Sequence, residues 1–209
     1  MQAKNTKRGY DASRRRASSD ERRGRILQTA RNLFGHYGYG ATSIERIAGE
    51  AGVAVPTVYA MYRSKRAMLF ALLDQADAQA DVAGLLRDLH AAAGDPRKQL
   101  RRLVSFTCRF YGQAGDIVEI ARGAGCTNED LLALWQEGEE RRLRGQRPLT
   151  DAWDRAGVLR KSHTAQEALD ILWAMTGADH YRLFVVDRKW SAARYEAWLE
   201  NTLERLLLR

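Results

Sequence analysis

The chain is short of the residues that build strands, disulfide frameworks and membrane spans. Its 209 residues include only three prolines and two cysteines. Cys108 and Cys126 are too few for the disulfide scaffold of a small secreted domain, so a reducing cytoplasm is the default expectation. The longest uncharged apolar run, Ala67 to Leu73, holds seven residues, where a membrane-spanning helix needs roughly 20. The N-terminus is basic, but no apolar segment follows it, which argues against a signal peptide. Ile, Thr and Phe are scarce beside Ala, Leu, Arg and Glu, and neither an internal repeat nor strand-like alternation is present; these features predict an all-α chain. His36, His90, His163 and His180 stand far apart without metal-type spacing, and no glycine-rich phosphate loop or nucleophile elbow occurs. We therefore expect no catalytic residue, no metal, no cofactor and no enzyme activity.

What is present is unevenly distributed positive charge. Residues 1–66 carry 14 Lys/Arg against 5 Asp/Glu, a net +9; residues 67–209 carry 20 against 21, a net −1. Such asymmetry predicts a basic N-terminal module facing a polyanion, on an electrically ordinary body. A basic tail kept for solubility is the plainer alternative. Residues 1–19, with Arg14-Arg15-Arg16 and three serines, read as a disordered arm.

From Asp20 to Tyr37, Ile26, Leu27, Ala30, Leu33 and Phe34 recur at helical spacing, and Gly35, Gly38 and Gly40 end the run. Thr42 followed by Glu45 reads as a capping box for a helix with Ile44, Ile47, Ala48 and Ala51 on one face, stopping at Gly52. Pro56 then suits the first position of another short helix, where its missing N–H costs nothing. Helix, glycine-containing turn, second helix is a helix-turn-helix candidate. Further helices are expected at 65–89, 97–113, 116–124, 128–156 (with a kink or break near Gly145 and Pro148), 165–187 and 191–208.

Residues 25–73 resemble the DNA-binding domain of the TetR (tetracycline repressor) family. The matching residues are Phe34, Gly38-Tyr39, Ala41-Thr42-Ser43-Ile44, Ile47-Ala48, Ala51-Gly52-Val53, Thr57-Val58-Tyr59 and Ser64-Lys65. The resemblance implies a three-helix DNA-binding domain (residues 20–66 after the 1–19 arm) and a larger helical domain (67–209) that binds a small molecule and dimerises through its last two helices. It also implies that Thr57 and Tyr59 touch DNA, and that Thr42, Ser43 and Lys65 contact phosphate, although packing within the domain is the alternative for Tyr59 and Tyr62. Where relatives often carry polar side chains, this chain has Ala54, Val55 and Ala60. Val55, Pro56, Thr57 and Ala60 offer methyl contact, which suits the thymine C5-methyl, and hydrogen-bond readout falls to Arg46 or to the arm.

In the body, Phe106, Phe110, Tyr111, Trp135 and Trp173 are aromatic candidates for a ligand pocket, with Thr176, Asp179 and His180 as its polar groups; ordinary core packing is the alternative for each. Residues 165–187 are apolar on nearly every face and must be covered on all sides. Phe184, with Tyr195, Trp198, Leu199, Leu203 and Leu206 on the last helix, is therefore expected in a two-fold dimer interface, an internal core helix being the alternative. The reading is a cytoplasmic homodimeric transcriptional regulator, a repressor rather than an activator, that binds a palindromic duplex operator and is released by an unidentified small molecule. A constitutive DNA-binding protein without an effector is the rival.

Overall fold

The computed structural model describes the backbone of residues 5–126 and 128–209, and side chains from residue 17 onward within that range. The fold is all-α: α1 (Asn5–Tyr37), α2 (Ile44–Ala51), α3 (Val55–Tyr62), α4 (Lys65–Ala80), α5 (Val82–Ala91), α6 (Pro96–Gly125), α7 (Glu129–Arg155), α8 (Ala165–Met175), α9 (Ala178–Tyr181) and α10 (Ala192–Leu207), with a π-helical turn at Arg182–Asp187. The one extended pairing among the described residues is an isolated antiparallel bridge between Leu159 and Leu208. No helix among them is long and apolar enough to cross a membrane. The chain forms two compact units, residues 1–74 and 75–209, and α4 contains the boundary.

In the first unit, the buried core residues are Ile26, Ala30 and Phe34 of α1, Ile47 and Ala48 of α2, Val58 of α3, and Met68, Leu69 and Leu72 of α4. Gly52 ends α2 in the left-handed conformation (φ 66°), and its N–H reaches back to the last turn, where a side chain would be strained. Two expectations need correction. The helix begins at Asn5, so the 1–19 arm is helical wherever it is described; residues 1–4 lie outside the described range. No proline interrupts this stretch, and once the turns at 26–37 are packed, each further residue adds a hydrogen bond without a new nucleation cost. The cap of α2 is Ser43, whose Oγ accepts from the Arg46 N–H at 3.2 Å, and not Thr42.

In the second unit, α6 runs through Gly115 as one helix where two were expected, because Ala114, Ile117 and Ile120 keep its packed face continuous. The expected 65–89 helix divides at Asp81, which takes φ 49° and caps α5 by accepting the Gly84 N–H at 2.9 Å. α7 continues through Pro148, which sits on the exposed side. Water can there take the carbonyl that loses its partner. The expected 165–187 helix stops at Met175, and α9 starts afresh after Gly177. Leu100, Leu103 and Val104 of α6, Leu149 and Trp153 of α7, Leu172 of α8 and the Tyr195/Leu199/Leu203 stripe of α10 share the core. Arg97–Glu204 (2.6 Å) and Arg101–Glu200 (3.9 Å) rim the α6–α10 contact.

Candidate functional site

The α2–α3 pair is divided sharply into buried and exposed residues. On α3, Val58 and Tyr62 are buried, whereas Val55 and Thr57 are half-buried and Pro56, Tyr59 and Ala60 are exposed, Tyr59 at 47%. Tyr62 is fixed from both ends: its hydroxyl donates to the Arg23 carbonyl at 2.9 Å, and the Arg23 guanidinium lies 4.6 Å over its ring. Tyr59, in the middle of the helix, is exposed and has no such anchor among the described residues. Pro56 occupies the first turn after the Ala54 cap, one residue further in than expected.

Thr42 is buried, and its hydroxyl lies 2.9 Å from the Gly38 carbonyl and 3.2 Å from that of Leu33. Its single proton closes the α1–α2 loop, so it is corrected from a phosphate contact to a structural residue. Ser43 stays exposed at the N-terminus of α2. The Glu45 carboxyl is held below its usual range by its own backbone N–H and then by Ser43. Arg46, also exposed, lies with its guanidinium 3.6 Å over the Tyr37 ring, and His36 meets that ring edge-on at 4.4 Å. Stacking through the flat face leaves the in-plane N–H groups available for a phosphate or a base edge.

Lys65 opens α4. Its Nζ donates to the Tyr39 carbonyl at 2.9 Å and the Gly40 carbonyl at 3.3 Å, and stands 4.8 Å over the Tyr39 ring. Burial pulls its pKa below the ordinary lysine value. Two of its three protons are thus engaged within the chain, and one remains for an outside acceptor.

In the second unit, Phe106 stacks on Phe110 (centroids 6.3 Å), Phe110 meets Tyr111 (5.1 Å), and Tyr111 meets Tyr181 (5.9 Å). Tyr181 continues to Tyr195 (5.5 Å), and Phe184 joins Tyr195, Trp198 and His180. His180 stacks on Trp198 as well; burial, more than the opposing pull of Asp179, lowers its pKa. Burial likewise pushes the Tyr111 hydroxyl up to about 12, keeping it neutral. Trp135 is half-buried on α7 and makes no ring contact with this chain of aromatics among the described residues. Trp173 and Thr176 belong instead to a polar seam with Arg142 and Gln146 of α7. Sequence reasoning passed over those two, although both continue the buried α7 stripe of Leu149, Thr150 and Trp153 toward its N-terminus.

The dimer expectation is corrected at three positions. Tyr195, Leu199 and Leu203 are 0% exposed within a single chain. They point into its own core and have no surface left to offer a partner. Phe184 and Trp198 are half-buried, and Leu183, Val186 and Leu206 are the exposed apolar residues nearby in sequence.

Residues 26–72 match the family model described as bacterial regulatory proteins, tetR family. The chain is similar to the HTH-type transcriptional regulator EthR of Mycobacterium tuberculosis, at 30% identity over 120 residues, 57% of this chain and 56% of EthR. It is also similar to the HTH-type transcriptional activator FasR of Mycolicibacterium smegmatis, at 36% over 89 residues, 43% of this chain and 40% of FasR. These matches span about half the length of the curated relatives. Among solved structures, a transcriptional regulator from Saccharomonospora viridis in complex with choline superposes with TM-score 0.71 at 23% identity, covering 91% of this chain and 99% of that one. NalD, the secondary repressor of the MexAB-OprM efflux pump in Pseudomonas aeruginosa, superposes with TM-score 0.69 at 21% identity, covering 92% and 98%. At such identities the structures establish a shared fold.

Proposed function

We propose, for a chain that belongs to the TetR family of bacterial regulatory proteins, that it works as a homodimeric repressor which a small molecule releases from an inverted-repeat operator. Regulation of transcription by a helix-turn-helix protein is the role named for both EthR and FasR. The observation that carries the reading is the outward side of α3, with Pro56 and Tyr59 exposed and Val55 and Thr57 half-buried, above a buried Val58 and Tyr62, within a segment of net charge +9. A helix so divided can enter a major groove without giving up its core contacts. Ser43, Arg46 and Lys65 supply phosphate or base-edge contacts around it.

For the body, the aromatic row of Phe106, Phe110, Tyr111 and His180 and the polar seam of Trp173 and Thr176 are the proposed ligand-binding surfaces, and half-buried Trp135 of α7 is kept as a further candidate. A ligand that favours one arrangement of the dimer would draw the population away from the spacing that fits two successive grooves. The two-fold contact is assigned to Phe184 and Trp198 with exposed Leu183, Val186 and Leu206, an isologous patch.

Selection of operator sequences from random duplexes, followed by a screen for compounds that release the bound protein, tests both halves. Enrichment of an inverted repeat and release by at least one compound class is the expected result. Enrichment without any release would favour the constitutive DNA-binding reading, and failure to enrich any sequence would sink the regulator reading itself.

A further inference from the structure

Where α8 ends, a side chain from a neighbouring helix fills the gap. Thr176 leaves helical geometry at φ −92°, ψ 15°, and Gly177 is extended at φ −85°, ψ 164°. Arg142 of α7 reaches into this break: Nη1 donates to the Trp173 carbonyl at 2.6 Å and lies 3.3 Å from Thr176 Oγ1, and Nη2 pairs with Glu139 at 2.5 Å. Its guanidinium also stands 4.9 Å over the Trp173 ring. The fit is close, since a Cβ on Gly177 would come within 3.2 Å of the Ala174 carbonyl and 3.4 Å of Arg142 Nη2. One turn further along α7, Gln146 is 6% exposed and donates through Nε2 to Thr176 Oγ1 at 3.0 Å; the Thr176 hydroxyl donates onward to the Leu172 carbonyl at 2.6 Å.

Three buried atoms of this cluster have no hydrogen-bond partner among the described residues: Gln146 Oε1, Arg142 Nε and Trp173 Nε1. Two are donors and one is an acceptor. A buried polar group left unpaired is costly enough that each instance calls for an explanation, and three around one helix break call for a common one.

We infer that the α7–α8 break at Thr176–Gly177 binds an uncharged ligand group that both accepts and donates hydrogen bonds, a carboxamide above all, on an apolar or aromatic body. This rests on the reading of the second unit as the ligand-binding one and specifies its chemistry. The carbonyl oxygen takes the Trp173 indole or Arg142 Nε proton, and the amide N–H donates to Gln146 Oε1. Charge decides against the alternatives. Arg142 is already neutralised by Glu139, so a carboxylate would have to displace Glu139 or sit beside it unpaired, and an ammonium would face the guanidinium. The Tyr111 hydroxyl, the nearby aromatic group that feels both Arg142 and Glu139, is neutral too. It leads into the Phe106–Phe110 row, which suits the apolar part of such a molecule.

The test uses the full-length chain labelled with nitrogen-15, in which the Trp173 indole N–H is identified as the resonance missing from Trp173→Phe. Benzamide, benzoate and benzylamine carry one ring and three head groups. Benzamide is expected to shift that resonance saturably and raise Tm, with benzoate and benzylamine doing neither at equal concentration. Gln146→Met keeps the side-chain length, removes the carboxamide and is expected to abolish the benzamide shift; Gln146→Glu, which adds charge and keeps one acceptor, is expected to weaken it. An unmoved Trp173 resonance, equal movement with all three probes, or a shift that survives Gln146→Met would each overturn the assignment, the first leaving ordered water as the occupant. Compounds that release DNA without touching Trp173 would overturn this site and leave the regulator reading intact. A benzamide response at Trp173, with no compound ever releasing DNA, would uphold the site and count against ligand-controlled release.

Discussion

In the proposed reading Lys65 serves two surfaces at once. It closes the Gly38–Gly40 loop through the Tyr39 and Gly40 carbonyls and would offer its remaining proton to a phosphate. Lys65→Ala is therefore expected to flatten the dependence of log affinity on log salt by about one unit, and to lower Tm as well. An unchanged salt slope beside a lowered Tm would leave Lys65 a purely structural residue. Arg46 poses a cleaner question, because Tyr37 holds its guanidinium at 3.6 Å. An exposed stack of this kind contributes about 0.5–1 kcal/mol, roughly a two- to fivefold change in affinity if it orients the contact. Tyr37→Leu should weaken operator binding by that factor in the native background and have no effect in Arg46→Ala, while Tyr37→Phe should keep native affinity. Equal losses in both backgrounds would show that Tyr37 acts independently of Arg46.

At the scale of elements, α3 presents methyl groups at its exposed start and Tyr59 beyond them. Replacing thymine by uracil in each half-site removes only the C5-methyl, and is expected to cost about 0.5–1.5 kcal/mol per methyl that meets Val55, Pro56, Thr57 or Ala60. Unchanged affinity after full uracil substitution would move readout to Arg46, to α1 or to DNA shape. Local elements were the legible ones. The apolar spacing of Ile44, Ile47, Ala48 and Ala51 and the stop at Gly52 gave α2 almost to the residue, because every determinant lies within one turn of its neighbour. What escaped depends on distant partners. Gly177 reads as an ordinary glycine inside an apolar run until Arg142, 35 positions earlier, arrives to satisfy the carbonyl of Trp173. Tyr195, Leu199 and Leu203 look the same whether they face their own core or a second copy, and only the packing of α6 and α8 against α10 decides it. Thr42 was misplaced for a smaller reason: one residue separates the buried loop hydroxyl from the exposed cap at Ser43.

For the whole molecule, the corrected assignment separates assembly from folding. Leu183→Glu or Val186→Glu is expected to yield a folded monomer in sedimentation with nearly native Tm, and with it loss of binding to a two-half-site operator. Leu203→Glu should instead lower Tm steeply, since a carboxylate would be buried among Leu199, Tyr195 and Leu207 without a partner. A native dimer after both surface changes would place the two-fold contact elsewhere. The overall plan was visible in charge alone, with +9 in the first 66 residues and −1 in the rest, because a long-range field needs no knowledge of packing. The bounds of the two units came less clearly, since α4 runs across the 74/75 boundary as one helix and leaves no break in composition there.

The division of α3 into disjoint sets of residues bears on how such a protein can change over generations. Val58 and Tyr62 are buried and hold the helix in place, whereas the outward set has Pro56 and Tyr59 exposed and Val55 and Thr57 half-buried. Mutation can sample the outward set with little penalty to folding, so a duplicated copy can drift toward a new operator without first passing through an unstable intermediate. The same four positions, randomised together, form the natural library from which to select a regulator for a chosen sequence.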